Sequence, residues 1–206
     1  ELSQPNKYSG KDVFNFDVDY YFENEKVSLS PLNESHYEGL LDISVDKEIW
    51  TFFTEKGEGK DKFKAYFSNA LKHRIQKLEY SFSIFDKGTN RLAGMTRLYN
   101  YDEKERVIKM GHTWLGKESW GKQINKNCKF LLFEFLFEDL GLERIGFGVH
   151  GHNVRSASAL ENIGCSLEGR LRNYFESKDS ERVDLLLFSL LKNEWQSKVK
   201  FMSHNK

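Results

Sequence analysis

The chain has 206 residues, 39% of them hydrophobic and 15% aromatic, with only two prolines; this suits one domain with a sizeable core and excludes long proline-rich linkers. Lys plus Arg and Asp plus Glu both number 31, so the formal net charge is zero. That balance argues against direct nucleic-acid binding, which needs a basic excess or a basic face. No apolar run of about 18 residues is present and the polar start has no signal-like apolar core, so neither a membrane nor secretion is expected and the cytoplasm is. Residues 1–24 read as a loosely ordered arm with an edge element around Asp17 to Phe22, residues 25–195 as one domain, and 196–206 as a polar tail.

Val27, Leu29 and Pro31 alternate with polar neighbours and predict a strand over 26–32. Asn33 follows as a helix N-cap, with Tyr37, Leu40, Leu41 and Ile43 on the helix behind it. Phe63, Tyr66, Phe67, Ala70, Leu71, Ile75 and Leu78 recur every three or four residues and predict an amphipathic helix over 59–78. Three strand-like runs come next, 80–85, 91–101 and 106–115, joined by turn-forming residues into an antiparallel meander. A loop over 116–122 leads into a helix carrying Ile124, Cys128, Leu131, Leu132, Phe135 and Leu136, with Gly141 as its left-handed stop. A strand over 144–150, a short helix capped by Asn153 and closed by Gly164, and a hairpin of 166–174 and 182–191 around a turn at 177–180 complete the chain. The order is β-α-α-βββ-α-β-α-ββ: an α/β fold with a mixed sheet, one right-handed parallel crossover and helices on both faces.

The chemistry is expected where strand gives way to helix. Thr113-Trp114-Leu115 ends a strand, and Trp120-Gly121-Lys122-Gln123-Ile124-Asn125-Lys126 opens a helix. A helix start offers unpaired N–H groups and the positive end of its dipole, which together seat phosphate. Gly121 lets the backbone approach an anion and Lys122 adds charge. The same sequence also suits an ordinary turn before a helix. Asn153-Val154-Arg155-Ser156 begins a second helix after a second strand; Asn153 is either a plain N-cap or a group that orients a ligand amide in the crevice at the strand ends. Cys128 and Cys165 lack metal-ligand spacing, and His150 and His152 lack a third ligand, so no metal is expected.

These two segments resemble the acetyl-CoA motifs of the GNAT acetyltransferases. The stretch from Thr113 to Asn125 is similar to the first, and Asn153-Val154-Arg155-Ser156 through Leu160-Glu161-Asn162-Ile163-Gly164 to the second. Leu167-Glu168-Gly169-Arg170-Leu171-Arg172 is similar to the branch that acetylates ribosomal-protein N-termini, the RimJ/RimL type. The likeness runs from about Lys26 to Trp195 and implies the element order above. Two departures stand out. The family's Gln/Arg-x-x-Gly-x-Gly/Ala pattern is met by Trp120, Gln123 and Asn125, and Leu160 holds the place where many members carry a tyrosine acid.

The resemblance implies acetyl transfer from acetyl-CoA, as co-substrate, to a primary amine by direct attack in a ternary complex. Thr113, Trp114, Leu115, Trp120, Gly121, Lys122, Gln123, Ile124, Asn125, Lys126 and Asn153 are then the cofactor-binding residues. Ser156 is the candidate proton donor to the leaving thiolate, His112 a candidate base, and Asn153 a further catalytic candidate. Tyr174 and Glu176 are candidates for the acceptor groove. The acceptor is open between a protein N-terminus and a small molecule, and the oligomeric state between monomer and homodimer. Rival readings are a non-catalytic CoA- or ligand-binding module of the same fold and a ribosome-associated adaptor, which the zero net charge disfavours.

Overall fold

The structure is a computed structural model and describes residues 13–176 and 181–197. The predicted hairpin turn at 177–180, most of the arm and the tail beyond 197 lie outside the described residues. Eight strands form one sheet in the order β1-β2-β3-β4-β5-β6-β8-β7. They are β1 (Phe22–Glu23), β2 (Val27–Pro31), β3 (Glu79–Asp86), β4 (Arg91–Asp102), β5 (Val107–Leu115), β6 (Arg144–His150), β7 (Ser166–Glu176) and β8 (Arg182–Leu191). Only β5 and β6 pair in parallel; each other neighbouring pair is antiparallel.

Helices α1 (Tyr37–Ser44), α2 (Lys60–Ile75), α3 (Ile124–Glu134) and α4 (Val154–Asn162) cover the sheet. Alternation along β3 and β4 explains the two layers. Tyr80, Phe82, Ile84 and Leu98 join the cluster that contains Cys128, Leu132 and Phe133 of α3. Met95 joins the other, with Leu40 of α1 and Phe63, Tyr66, Phe67 and Ala70 of α2. Asn33 caps as expected: its side chain accepts from the Ser35 amide, and the His36 ring accepts from the Asn33 amide.

The predicted order holds from the β2 strand onward, with corrections at its margins. Residues 13–22 are not loosely ordered. Phe14 and Tyr20 are buried, and the Tyr20 and Phe22 rings each pack tilted against Phe135 with centroids 4.8 Å away. Arg74 of α2 holds this segment by donating to the carbonyls of Phe16 and Val18 at 2.9 and 3.1 Å. Its polar appearance in the sequence hid five aromatic rings at irregular spacing, a pattern with no strand or helix period. The α2 helix ends at Ile75, and Lys77 turns left-handed at φ 58°. Ile75 and Leu78, predicted on the buried stripe, are therefore 81% and 56% exposed. The α3 helix closes through a π-helical turn over Phe135–Asp139, and Gly141 has the expected positive φ of 67°. A helical segment over 192–197 follows β8 and buries Trp195.

Candidate active site

The site begins with a failure of pairing. β5 and β6 match only at Val107 with Arg144, Ile108 with Ile145 and Lys109 with Gly146. From Met110 onward β5 has no partner on that side, while β6 continues against β8. The cause lies in β5 itself. His112 adopts φ 49°, and the register with β4 jumps from Met95 opposite Trp114 to Arg97 opposite Gly111. His112 and Thr113 thus face the single residue Thr96, whose hydroxyl lies 2.8 Å from that of Thr113. Such a bulge bends the strand and increases its twist, which opens the seam toward the strand ends.

A cleft of about 450 Å³ fills the opening. Thr113, Trp114 and Leu115 form its β5 wall; Trp120, Gly121, Gln123, Ile124, Asn125 and Lys126 bring in the start of α3; Asn153 and Ser156 bring in the start of α4. All lay far apart in the sequence in two motifs, and the fold joins them. Lys122 is exposed and is not part of the cleft wall. On either side of it Gly121 and Gln123 both take positive φ, 75° and 63°.

At the start of α3 the first closing bond runs from the Asn127 amide to the Gln123 carbonyl at 3.0 Å. The amides of Ile124, Asn125 and Lys126 consequently have no partner within the helix. Gln123, the N-cap residue, supplies no side-chain cap. The Oδ1 atom of Asn125 is buried without a hydrogen bond, an acceptor that needs a donor. These features fit a ligand with a diphosphate and amide N–H groups. Trp120 pins the loop by donating from Nε1 to the Leu115 carbonyl at 2.9 Å, and the Arg155 guanidinium lies 3.9 Å above its ring. This stack ties the end of β5 to α4 across the top of the cleft.

Gln123 sits where the left-handed conformation costs an L-residue roughly 1–2 kcal/mol. Gln123→Gly is expected to raise stability by about 1 kcal/mol without loss of affinity for a ligand bound in the cleft. Denaturant melts and titration calorimetry check both; a variant no more stable than the parent would show that Gln123 makes compensating contacts.

Asn153 acts as the N-cap, its Oδ1 accepting from the Ser156 amide at 3.1 Å. Its cap role and its place on the cleft wall coexist. His112 and Trp114 both belong to the α2 side of β5, but His112 is not part of the cleft wall. It packs edge-on to Tyr99 at 5.3 Å. Burial, then the neighbouring Arg97 charge and His73, lower its pKa to about 4, against the opposing pull of Glu79. Tyr174 and Glu176 sit at the exposed end of β7, outside the cleft wall; Glu176 lies 3.8 Å from Arg182.

Several wall residues escaped the sequence reading: Ile49, Phe52 and Phe53 from the segment before α2, Arg155 and Ala159 of α4, and Lys129 of α3. Ile49 lies in a short 3-10 helix, Lys47–Trp50, and Phe52 and Phe53 in the irregular loop after it, none of them in a motif. Lys129 had a signal, since it falls three and four residues before the buried Leu132 and Phe133, on an apolar helix face. Among the described residues there is no group of three His, Cys, Asp or Glu able to hold a metal ion. No helix among them is long and apolar enough to cross a membrane.

Comparison with known proteins agrees with this geometry. Residues 26–166 match the family model described as "Acetyltransferase (GNAT) domain". The chain belongs to the GNAT acetyltransferase family. It is 27% identical over 178 residues to a Bacillus subtilis protein named "Putative ribosomal N-acetyltransferase YdaF", covering 84% of this chain and 95% of that one. A GCN5-related N-acetyltransferase from Brucella melitensis superposes with a TM-score of 0.80 at 26% identity, over 88% of this chain and 83% of that chain. A spermidine N-acetyltransferase from Vibrio cholerae, solved with CoA and spermine, shares the fold with a TM-score of 0.70 at 18% identity, over 84% and 99% of the two chains. The α/β fold and the N-acetyltransferase class expected from the motifs are those of these relatives.

Proposed function

We propose that this GNAT enzyme transfers the acetyl group of acetyl-CoA to a primary amine, with a polypeptide N-terminal α-amine as the acceptor, by direct attack in a ternary complex. The observation that carries the proposal is the opened β5–β6 seam ending on three helix amides without intrahelical partners. The acetyl-CoA supplies an activated thioester. The amides of Ile124, Asn125 and Lys126 hold its diphosphate, and the unpaired edge of β5 around Trp114 and Leu115 offers backbone groups to the pantetheine arm and the thioester carbonyl. The Ser156 hydroxyl, on the same wall, relays a proton: it donates its own to the leaving thiolate and takes up the one released by the attacking amine nitrogen.

The choice of acceptor follows from what the wall contains. Among the described residues that line it there is no carboxylate and no imidazole. His112, at a pKa of about 4, is neutral at pH 7 but a weak proton acceptor, and it lies off the wall. A site with so little base favours the amine that needs least help. An α-amine has a pKa of about 8 and a lysine side chain about 10.4, so only the former is appreciably neutral near pH 7. The name of the B. subtilis relative points the same way.

Titration calorimetry with acetyl-CoA, followed by thiol release with peptides bearing free or blocked N-termini and with spermine, tests the reading. Micromolar binding and release dependent on a free N-terminus are expected. No binding defeats the enzyme reading; binding without release on any amine leaves a non-catalytic CoA module. Ser156→Ala is expected to lower kcat about a hundred-fold with acetyl-CoA affinity within about threefold. Unchanged kcat removes Ser156 from the mechanism.

A further inference from the structure

The floor of the cleft holds a charge that neither motif accounts for. Lys129 is 7% exposed, lines the cleft, and lies one turn beyond Asn125 on the same face of α3. Among the described residues no ion pair involves it. The groups around it come from four elements. On α3 itself are Cys128, the exposed Lys126 and Asn125; Phe147 of β6 has its ring 5.9 Å from Nζ; Asn162 and Ile163 of α4 line the same cleft; Cys165 precedes β7. Burial pushes the Cys128 thiol up to about 12, so it contributes no thiolate. None of these groups is a carboxylate. An ammonium buried without a counter-ion is strongly unfavourable. Burial accordingly lowers the Lys129 pKa below the ordinary lysine value.

Helix side chains tilt toward the N-terminus, and Lys129 lines the same cleft as Ile124, Asn125 and Lys126 of the turn that opens α3. The buried, unpaired Oδ1 of Asn125 lies on that same turn. A buried cation lacking an anion and a buried acceptor lacking a donor thus line the same cleft.

We propose that Lys129 is the buried counter-cation of the CoA diphosphate, and that Asn125 beside it accepts from a pantetheine amide. This rests on the acetyl-CoA reading above. Lys129 lies outside the loop positions that the motif defines, and it adds from below the charge that the exposed Lys122 does not bring to the cleft. Binding the anion restores the ordinary lysine pKa, so CoA binding takes up a proton wherever free Lys129 is partly neutral, and CoA affinity falls as pH rises through that range.

The test compares wild type with Lys129→Met, which keeps the length and suits an apolar floor. CoA binding is expected to weaken about ten- to a hundred-fold, the worth of a charged hydrogen bond. Binding of pantetheine, which has no diphosphate, is expected to stay within about twofold. Without ligand the variant should melt at the same temperature as wild type or higher, because an unpaired buried charge is gone. Calorimetry of CoA binding to wild type in two buffers of different ionisation enthalpy, above neutral pH, should show proton uptake that pantetheine binding lacks; this readout needs no variant. Unchanged CoA affinity in Lys129→Met, equal losses for CoA and pantetheine, or equal proton uptake for the two ligands would overturn the proposal. Absence of CoA binding by wild type would instead remove the cofactor reading beneath it.

Discussion

Gly94→Ala is expected to destabilise the protein by about 3 kcal/mol or more and to weaken acetyl-CoA binding with it. A Cβ at Gly94 would lie 2.0 Å from the Trp114 carbonyl oxygen, 2.9 Å from its carbon and 3.0 Å from the Leu115 Cα. All three are backbone atoms, so no side chain can swing aside. The clash falls where β4 meets the end of β5, with Gly94 paired to Leu115 and Met95 to Trp114. Relief requires the two strands to part just beyond the His112 bulge, and Trp114 and Leu115 are cleft wall. One methyl group should therefore be felt twice, once in denaturant melts and once in acetyl-CoA titration of the protein that remains folded. A loss of stability under about 1 kcal/mol would mean that the β4–β5 ladder can shift there, and that the cleft wall is softer than its pairing suggests.

The elements around this glycine show what the sequence made legible. The meander was readable because Tyr80, Phe82 and Ile84 alternate with Ser81 and Ser83, and the sheet buries both faces under different helices. The α3 and α4 starts were readable because left-handed and capping residues mark them: Gly121 takes φ 75° and Asn153 caps Ser156. The opening of β5 from β6 was not. It depends on a bulge at His112, a non-glycine residue at positive φ, and nothing local in Gly111-His112-Thr113 separates a bulged strand from a straight one. Aromatic packing of residues 14–22 was hidden for a similar reason, since rings that meet Tyr80 and Phe135 from an irregular segment leave no period. Lys129 lay in plain view, but a charge on an apolar face reads first as an error in the helical register.

The α2 side of the sheet beneath the site carries its own electrostatics. Arg97 is 1% exposed, pairs with Glu79 at 2.9 Å and lies 4.3 Å over the Tyr66 ring. His73 is 3.0 Å from the same Glu79 carboxylate. His112 faces this cluster from β5, and it should set the acid limb of stability. Its pKa is about 4 in the folded chain, against about 6.5 when unfolded. Between those values the unfolded chain binds a proton that the native protein refuses, so stability rises with pH. The contribution is complete above about pH 6.5 and is lost as pH falls toward 4. From pH 7 to 5 the loss is about 2 kcal/mol for this one group. His36 and His150 are shifted the same way by burial and add to the slope. Glu79 is held below the usual carboxylate range: burial opposes this, but the His73 hydrogen bond and the Arg97 charge prevail. Its share is lost only below about pH 4.5, outside this window. His112→Asn isolates the imidazole, because asparagine tolerates the positive φ of 49° at that position. Urea melts of both proteins at pH 7 and pH 5 should show the variant losing about 2 kcal/mol less than wild type between the two. Equal losses would mean that His112 is already protonated in the native protein at pH 5, paired with Glu79 rather than repelled by Arg97.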